Sequence, residues 1–137
     1  DTTRILFTSE TGIKFFDFQL TNTDFKVVYC IKKLNKKIIT TQLQKIFRLI
    51  LMNYGNLDNY TSNGNDSLQL YSWKNKKEII NYSTNNCTEV VQIETLSNKN
   101  KKKININLAG TKNGMADAIF IKYQTFSFDI TLKQIDR

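Results

Sequence analysis

Twelve carboxylates, two thiols and no histidine set the chemistry open to this chain. Without His there is no Ser-His-Asp or Cys-His centre, and no histidine zinc site. Two Cys cannot make a four-cysteine zinc site either. The acids are dispersed. Glu89 and Glu94 differ by five, which sets them on opposite faces of a strand. Asp17 lies mid-strand near Phe15, Phe16 and Phe18. Buried, it would be a candidate general acid; on a one-sided strand it simply faces solvent. Asp58, Asn59, Asn65 and Asp66 offer oxygens for calcium, but not at EF-hand spacing. Five scattered Gly make no phosphate loop. A non-enzymatic protein without a cofactor is expected.

Binding chemistry is better represented. The net charge is +8, and 17 of the 20 basic residues are Lys. They gather at Lys32, Lys33, Lys36 and Lys37, at Lys74, Lys76 and Lys77, and at Lys99, Lys101, Lys102 and Lys103. Each group falls in a predicted turn. Solvated turns explain them, and so would a patch for anionic headgroups or nucleic acid. Specific nucleic-acid readers lean on the arginine fork. With three Arg in the chain, no specific nucleic-acid partner is expected. Tyr71, Trp73, Tyr82, Tyr123, Phe126 and Phe128 lie near lysines, a pairing that some single-strand binders use and that sheet cores use far more often.

The elements that position these groups follow from periodicity. Short strands are expected at Arg4–Ser9, Ile13–Thr21 and Phe25–Lys32, with a turn at Ser9–Gly12. Phe16, Phe18 and Leu20 share one face of the second strand. Phe25, Val27, Tyr29 and Ile31 share one face of the third. The period then changes. Asn35 is a predicted N-cap, and Ile39, Leu43, Ile46, Phe47 and Ile50 recur at helical spacing to about Met52, with Gly55 as the stop. Arg48 falls on the polar face with Thr40, Thr41, Gln44 and Lys45. Gly55–Ser67 reads as a long polar loop.

A meander follows: Leu68–Trp73, Glu78–Tyr82, Glu89–Leu96, Lys102–Ala109, Ala118–Gln124 and Phe126–Asp136, with Gly110–Gly114 as a turn. Cys30 and Cys87 are expected as free thiols. A mean hydropathy of −0.40 and the lack of a long apolar run exclude a transmembrane helix.

The expected class is α+β, mainly β: a curved antiparallel sheet, a half-barrel, with one amphipathic helix on its concave face. Residues 1–137 read as a single domain. The first strand starts almost at once, which points to further strands before Asp1. One helix cannot cover so many strands. Part of the apolar face should therefore line a pocket or meet strands outside the sequence.

Four stretches carry a resemblance: RILFTSETGIKFFDF from Arg4 to Phe18, FRLIL from Phe47 to Leu51, IFIKY from Ile119 to Tyr123, and FDITL from Phe128 to Leu132. With the element order, they resemble secreted and lipid-anchored Bacteroidetes proteins related to the LolA/LolB lipoprotein-carrier fold. The resemblance implies a half-barrel with an apolar cavity for acyl chains, in the periplasm or at the outer membrane. It also implies a lipid or acyl chain as partner and a membrane surface reached through a lipid anchor. Candidate cavity residues are Leu43, Ile46, Phe47 and Ile50 on the helix and Phe126, Phe128 and Ile130 on the last strand. The helix stripe is expected to face Phe126, Phe128, Ile130 and Leu132. The alternative is a structural or protein-interaction domain whose core is filled.

Overall fold

The computed structural model describes residues 1–54, 59–86, 88–112, 115–125 and 128–133. Alternation builds the first sheet. In β2, Lys14–Leu20, the large residues Phe16, Phe18 and Leu20 recur every second position and all three are buried. β1, Thr3–Thr8, and β3, Phe25–Cys30, pair with it on either side, antiparallel, in the order β1-β2-β3. The Ser9–Gly12 turn joins β1 to β2, with the Gly12 amide donating to Ser9 O at 2.9 Å and Gly12 at φ 83°.

A bulge changes the expected faces of β3. Phe18 opposes Val27 and Asp17 opposes Tyr29, so Val28 is the extra residue. Beyond it the strand is out of phase. Tyr29 moves to the Asp17 face, and Cys30 joins Phe16.

After a lysine-rich joint comes α1, Lys37–Ile50, the helix expected from the 3.6-residue period. It is about 21 Å long at 1.5 Å per residue. Its N-cap is Lys36 rather than Asn35, and no side chain caps it. The Asn35 amide is instead used in a turn, donating to Ile31 O at 2.9 Å. The C-terminus comes before Gly55. Met52 takes φ 54° and donates to Leu49 O, while Asn53 donates to Arg48 O. That is the Schellman pattern with Met at the left-handed position that usually falls to Gly. Phe47 packs against Phe16 and Phe18, at ring distances of 5.8 and 6.4 Å. With Phe7 and Phe25 these rings make a phenylalanine core within residues 1–55, which form one compact unit.

Residues 56–137 form the second compact unit. Its sheet has seven strands in the order β10-β9-β8-β7-β6-β5-β4, every neighbour antiparallel, and it is not closed into a barrel. Five lie close to expectation: β5, Leu68–Lys74; β6, Glu78–Asn85; β7, Glu89–Ser97; β9, Met115–Tyr123; and β10, Phe128–Lys133. Two correct it. β4, Thr61–Gly64, falls inside the stretch expected as loop and pairs with β5. β8, Lys102–Lys112, runs through the expected turn at Gly110, which sits at φ 68° within the strand. An α+β class that is mainly β is therefore what the chain adopts. Its strands sort into two open sheets rather than one.

Register turns the larger sheet into rows. One face carries Tyr71, Tyr82, Ile93, Ile106, Ile121 and Ile130 in line across six strands. The other carries Ser72, Asn81, Glu94, Asn105, Lys122 and Asp129. The polar row is bonded in places: Ser72 to Asn81 at 2.6 Å, and Gln92 to Asn105 at 3.0 Å. Among the described residues, the apolar face holds one buried side-chain polar atom without a partner. Thr95 lies fully buried between Ile80 and Ile104, and its hydroxyl has no hydrogen-bond partner. A buried unpaired hydroxyl is costly, and an isosteric methyl removes the cost. Thr95→Val is expected to raise stability by about 1 kcal/mol, read as a higher urea midpoint at unchanged slope.

Candidate functional site

The expected cavity residues divide into two sets. On α1, Leu43 and Ile46 are 0% exposed and Phe47 is 5% exposed, while Ile50 is half-buried. On β10, Ile130 and Leu132 are half-buried; Phe126 and the side chain of Phe128 lie outside the described residues. The aromatic partners of Phe47 in its own unit are Phe16 and Phe18 of β2. Leu49, absent from the expected stripe, is also fully buried.

Arg48 was expected in solvent and is only 9% exposed. Its guanidinium donates to Thr21 O at 3.0 Å, Asn22 O at 3.2 Å and Asp24 O at 3.1 Å. These are carbonyls of the β2–β3 turn. The planar fork thus clamps the turn to the helix. Around it a polar depression is lined by Asn22, Thr23, Thr41, Gln44, Lys45 and Asn53. Amides and hydroxyls of this kind can hold water or a polar solute, and no Asp, Glu or Cys is among the described lining residues.

Asp17 is 1% exposed, not solvent-facing as its place on a one-sided strand suggested. Arg4 grips it with both ends of its fork, at 2.9 and 2.7 Å, and Lys14 approaches to 3.5 Å. Hydrogen bonding from Arg4 holds the carboxyl below its ordinary value, outweighing the partial loss of water. A general acid needs the opposite shift, so this carboxylate is structural. Its depressed pKa stabilises the fold above the unfolded value of 3.8, and that contribution is lost as pH falls through the lower folded value. Arg4→Gln should therefore destabilise the protein at neutral pH. The gap to wild type should close below about pH 4, as followed by denaturant titrations across the acid range.

Four rings gather at one margin of the larger sheet. Tyr60 lies 5.6 Å from Tyr71 and 5.5 Å from Trp73, and Trp73 meets Tyr82 edge-on at 5.3 Å. Burial pushes the Tyr82 phenol up to about 12. The rings pack on one another, as in a sheet core. Cys30 is a free thiol whose pKa is raised by burial, the reverse of what a reactive cysteine needs. Cys87 lies outside the described residues. Among the described residues, no three His, Cys, Asp or Glu gather to hold a metal, and no helix is long and apolar enough to cross a membrane.

No family model, curated protein or solved structure matches this chain.

Three groups escaped sequence reasoning. Arg48 has no sequence signal, because its partners are main-chain carbonyls more than twenty residues away. The Arg4–Asp17 pair was within reach. Aligning β1 with β2 through the Ser9–Gly12 turn opposes Leu6 to Asp17 and brings Arg4 beside it. The unpaired Thr95 hydroxyl required the register of three strands.

Proposed function

We propose that the chain is a non-catalytic cell-envelope protein working as a structural or protein-interaction domain with a filled core. The observation that supports this is the closure of Leu43 and Ile46, both 0% exposed. A space wide enough for an acyl chain also admits a sphere the size of water, so side chains lining it would keep measurable surface. These two do not. The cell-envelope placement is carried by the likeness to the lipoprotein-carrier fold, and the interaction role by the first sheet. Its edge strands β1 and β3 expose Leu6, Val28 and Tyr29. Unpaired edges with apolar side chains are surfaces on which a partner strand can add.

The test is titration with an environment-sensitive fatty-acid fluorophore, together with a thermal melt. A filled core gives no saturable signal at micromolar concentrations and no shift in melting temperature. Saturable binding with a rising melting temperature would instead support the carrier-like reading, in which a lipid sits between sheet and helix.

A further inference from the structure

Two lysine groups that are more than twenty residues apart in the chain meet in the larger sheet. An antiparallel meander brings every second turn to the same end. The β5–β6 and β7–β8 turns therefore lie side by side, separated only by the paired strands β6 and β7. Their contact is direct: the Asn98 side-chain amide donates to the main-chain oxygen of Lys76.

Both turns are fixed. The Asn75 side chain accepts from the amides of Lys77 and Glu78, at 2.8 and 2.9 Å. Ser97 Oγ accepts from Lys99 and Lys101, and Asn100 takes φ 58° to close the turn. On these frames stand Lys74, Lys76, Lys77, Lys99, Lys101 and Lys102, all exposed, with Lys103 half-buried. Two carboxylates of β6 and β7 stand near these seven lysines. Glu94 pairs with Lys102 at 2.8 Å, and Glu78 is buried. At the far end of the sheet, the turns around residues 65–67 and 86–88 carry no lysine, and the β8–β9 connection adds one, Lys112 at the end of β8.

We propose that this lysine end of the seven-stranded sheet docks on an anionic phospholipid surface. Like charges held this close repel one another, and an anionic partner relieves the repulsion. Ammonium groups on flexible stems can each find a headgroup phosphate without fixed geometry. Between the flanking strands the turns contain only Asn, Lys and, at its edge, Ser, so contact stays at the headgroups and weakens with salt. Neither turn offers an arginine fork or an aromatic ring to a base, which disfavours nucleic acid. The docking is independent of whether the core accepts a ligand.

Co-sedimentation with vesicles of phosphatidylcholine and phosphatidylglycerol, mixed roughly two to one, tests it against pure phosphatidylcholine vesicles. Each lysine should contribute about fivefold to partitioning. Combined Lys76→Gln, Lys77→Gln, Lys99→Gln and Lys101→Gln should therefore weaken binding on the order of several hundredfold. The control removes the same charge elsewhere, with Lys32→Gln, Lys33→Gln, Lys36→Gln and Lys37→Gln, and should lose about fivefold at most. Circular dichroism checks both folds. If the quadruple variant unfolds, Lys76→Gln with Lys99→Gln should still lose about 25-fold. Three results overturn the proposal: no binding to the anionic vesicles at low salt, equal loss in variant and control, or tighter binding to a single-stranded oligonucleotide than to vesicles at matched salt.

Discussion

Arg48→Met is expected to lower the stability of the protein by about 3 kcal/mol, while Arg48→Lys loses about half as much. The guanidinium is buried and donates to three carbonyls of the Thr21–Asp24 turn. Methionine keeps most of the aliphatic stem and removes every donor, so the loss reports the hydrogen bonds rather than packing. Bonds to a charged donor are worth more than neutral ones, and turn carbonyls left without a partner add their own cost. Lysine can place one ammonium near the same oxygens but cannot span all three. Urea unfolding of the three proteins gives the comparison. A loss below about 0.5 kcal/mol in Arg48→Met would mean that water replaces the clamp.

Leu43→Ala should cost about 3 kcal/mol, within the 2–5 kcal/mol range of buried leucine truncations. Leu43 is fully buried on α1, so the deleted atoms leave a void that its neighbours fill only in part. Thr41→Ala, on the exposed side of the same helix, should change stability by less than about 0.5 kcal/mol. The pair separates the two functional readings. In a filled core Leu43 carries stability. In a ligand pocket the same truncation would leave the free protein nearly unchanged and alter the binding of a fatty acid. Leu43→Asp should prevent folding, because a carboxylate placed there has no partner.

The helix was legible because Ile39, Leu43, Ile46, Phe47 and Ile50 keep one period over three turns. The limits of the same reading show in its polar face. Arg48 belongs to that face by composition, and it is buried because a turn distant in sequence supplies its acceptors. β4 was hidden for another reason. Thr61–Gly64 is an exposed edge strand, so nothing selects apolar alternation in it. In β3 the alternation was present but misled, since the bulge at Val28 exchanges the faces halfway along. Asp17 shows a fourth case. Period 2 set it opposite Phe16 and Phe18, as it is, but its shielding comes from Arg4 on the neighbouring strand. Of the candidate site, the lysine groups were visible one at a time. Only the order of strands shows that two of them share an end.

The order of strands has a kinetic consequence. Among the described residues, every strand in both sheets pairs only with the strand before or after it in the chain. No pairing requires a long loop to close, so the entropy cost of each step is that of a hairpin. Low contact order of this kind allows a β-rich chain to fold faster than sandwiches and barrels, whose strands must find distant partners. Each sheet can grow outward from any early hairpin, one neighbour at a time. The slow step is then the first stable hairpin, and the tight Asx turn at Asn75, with seven and eight residues in its flanking strands, is well built to supply it.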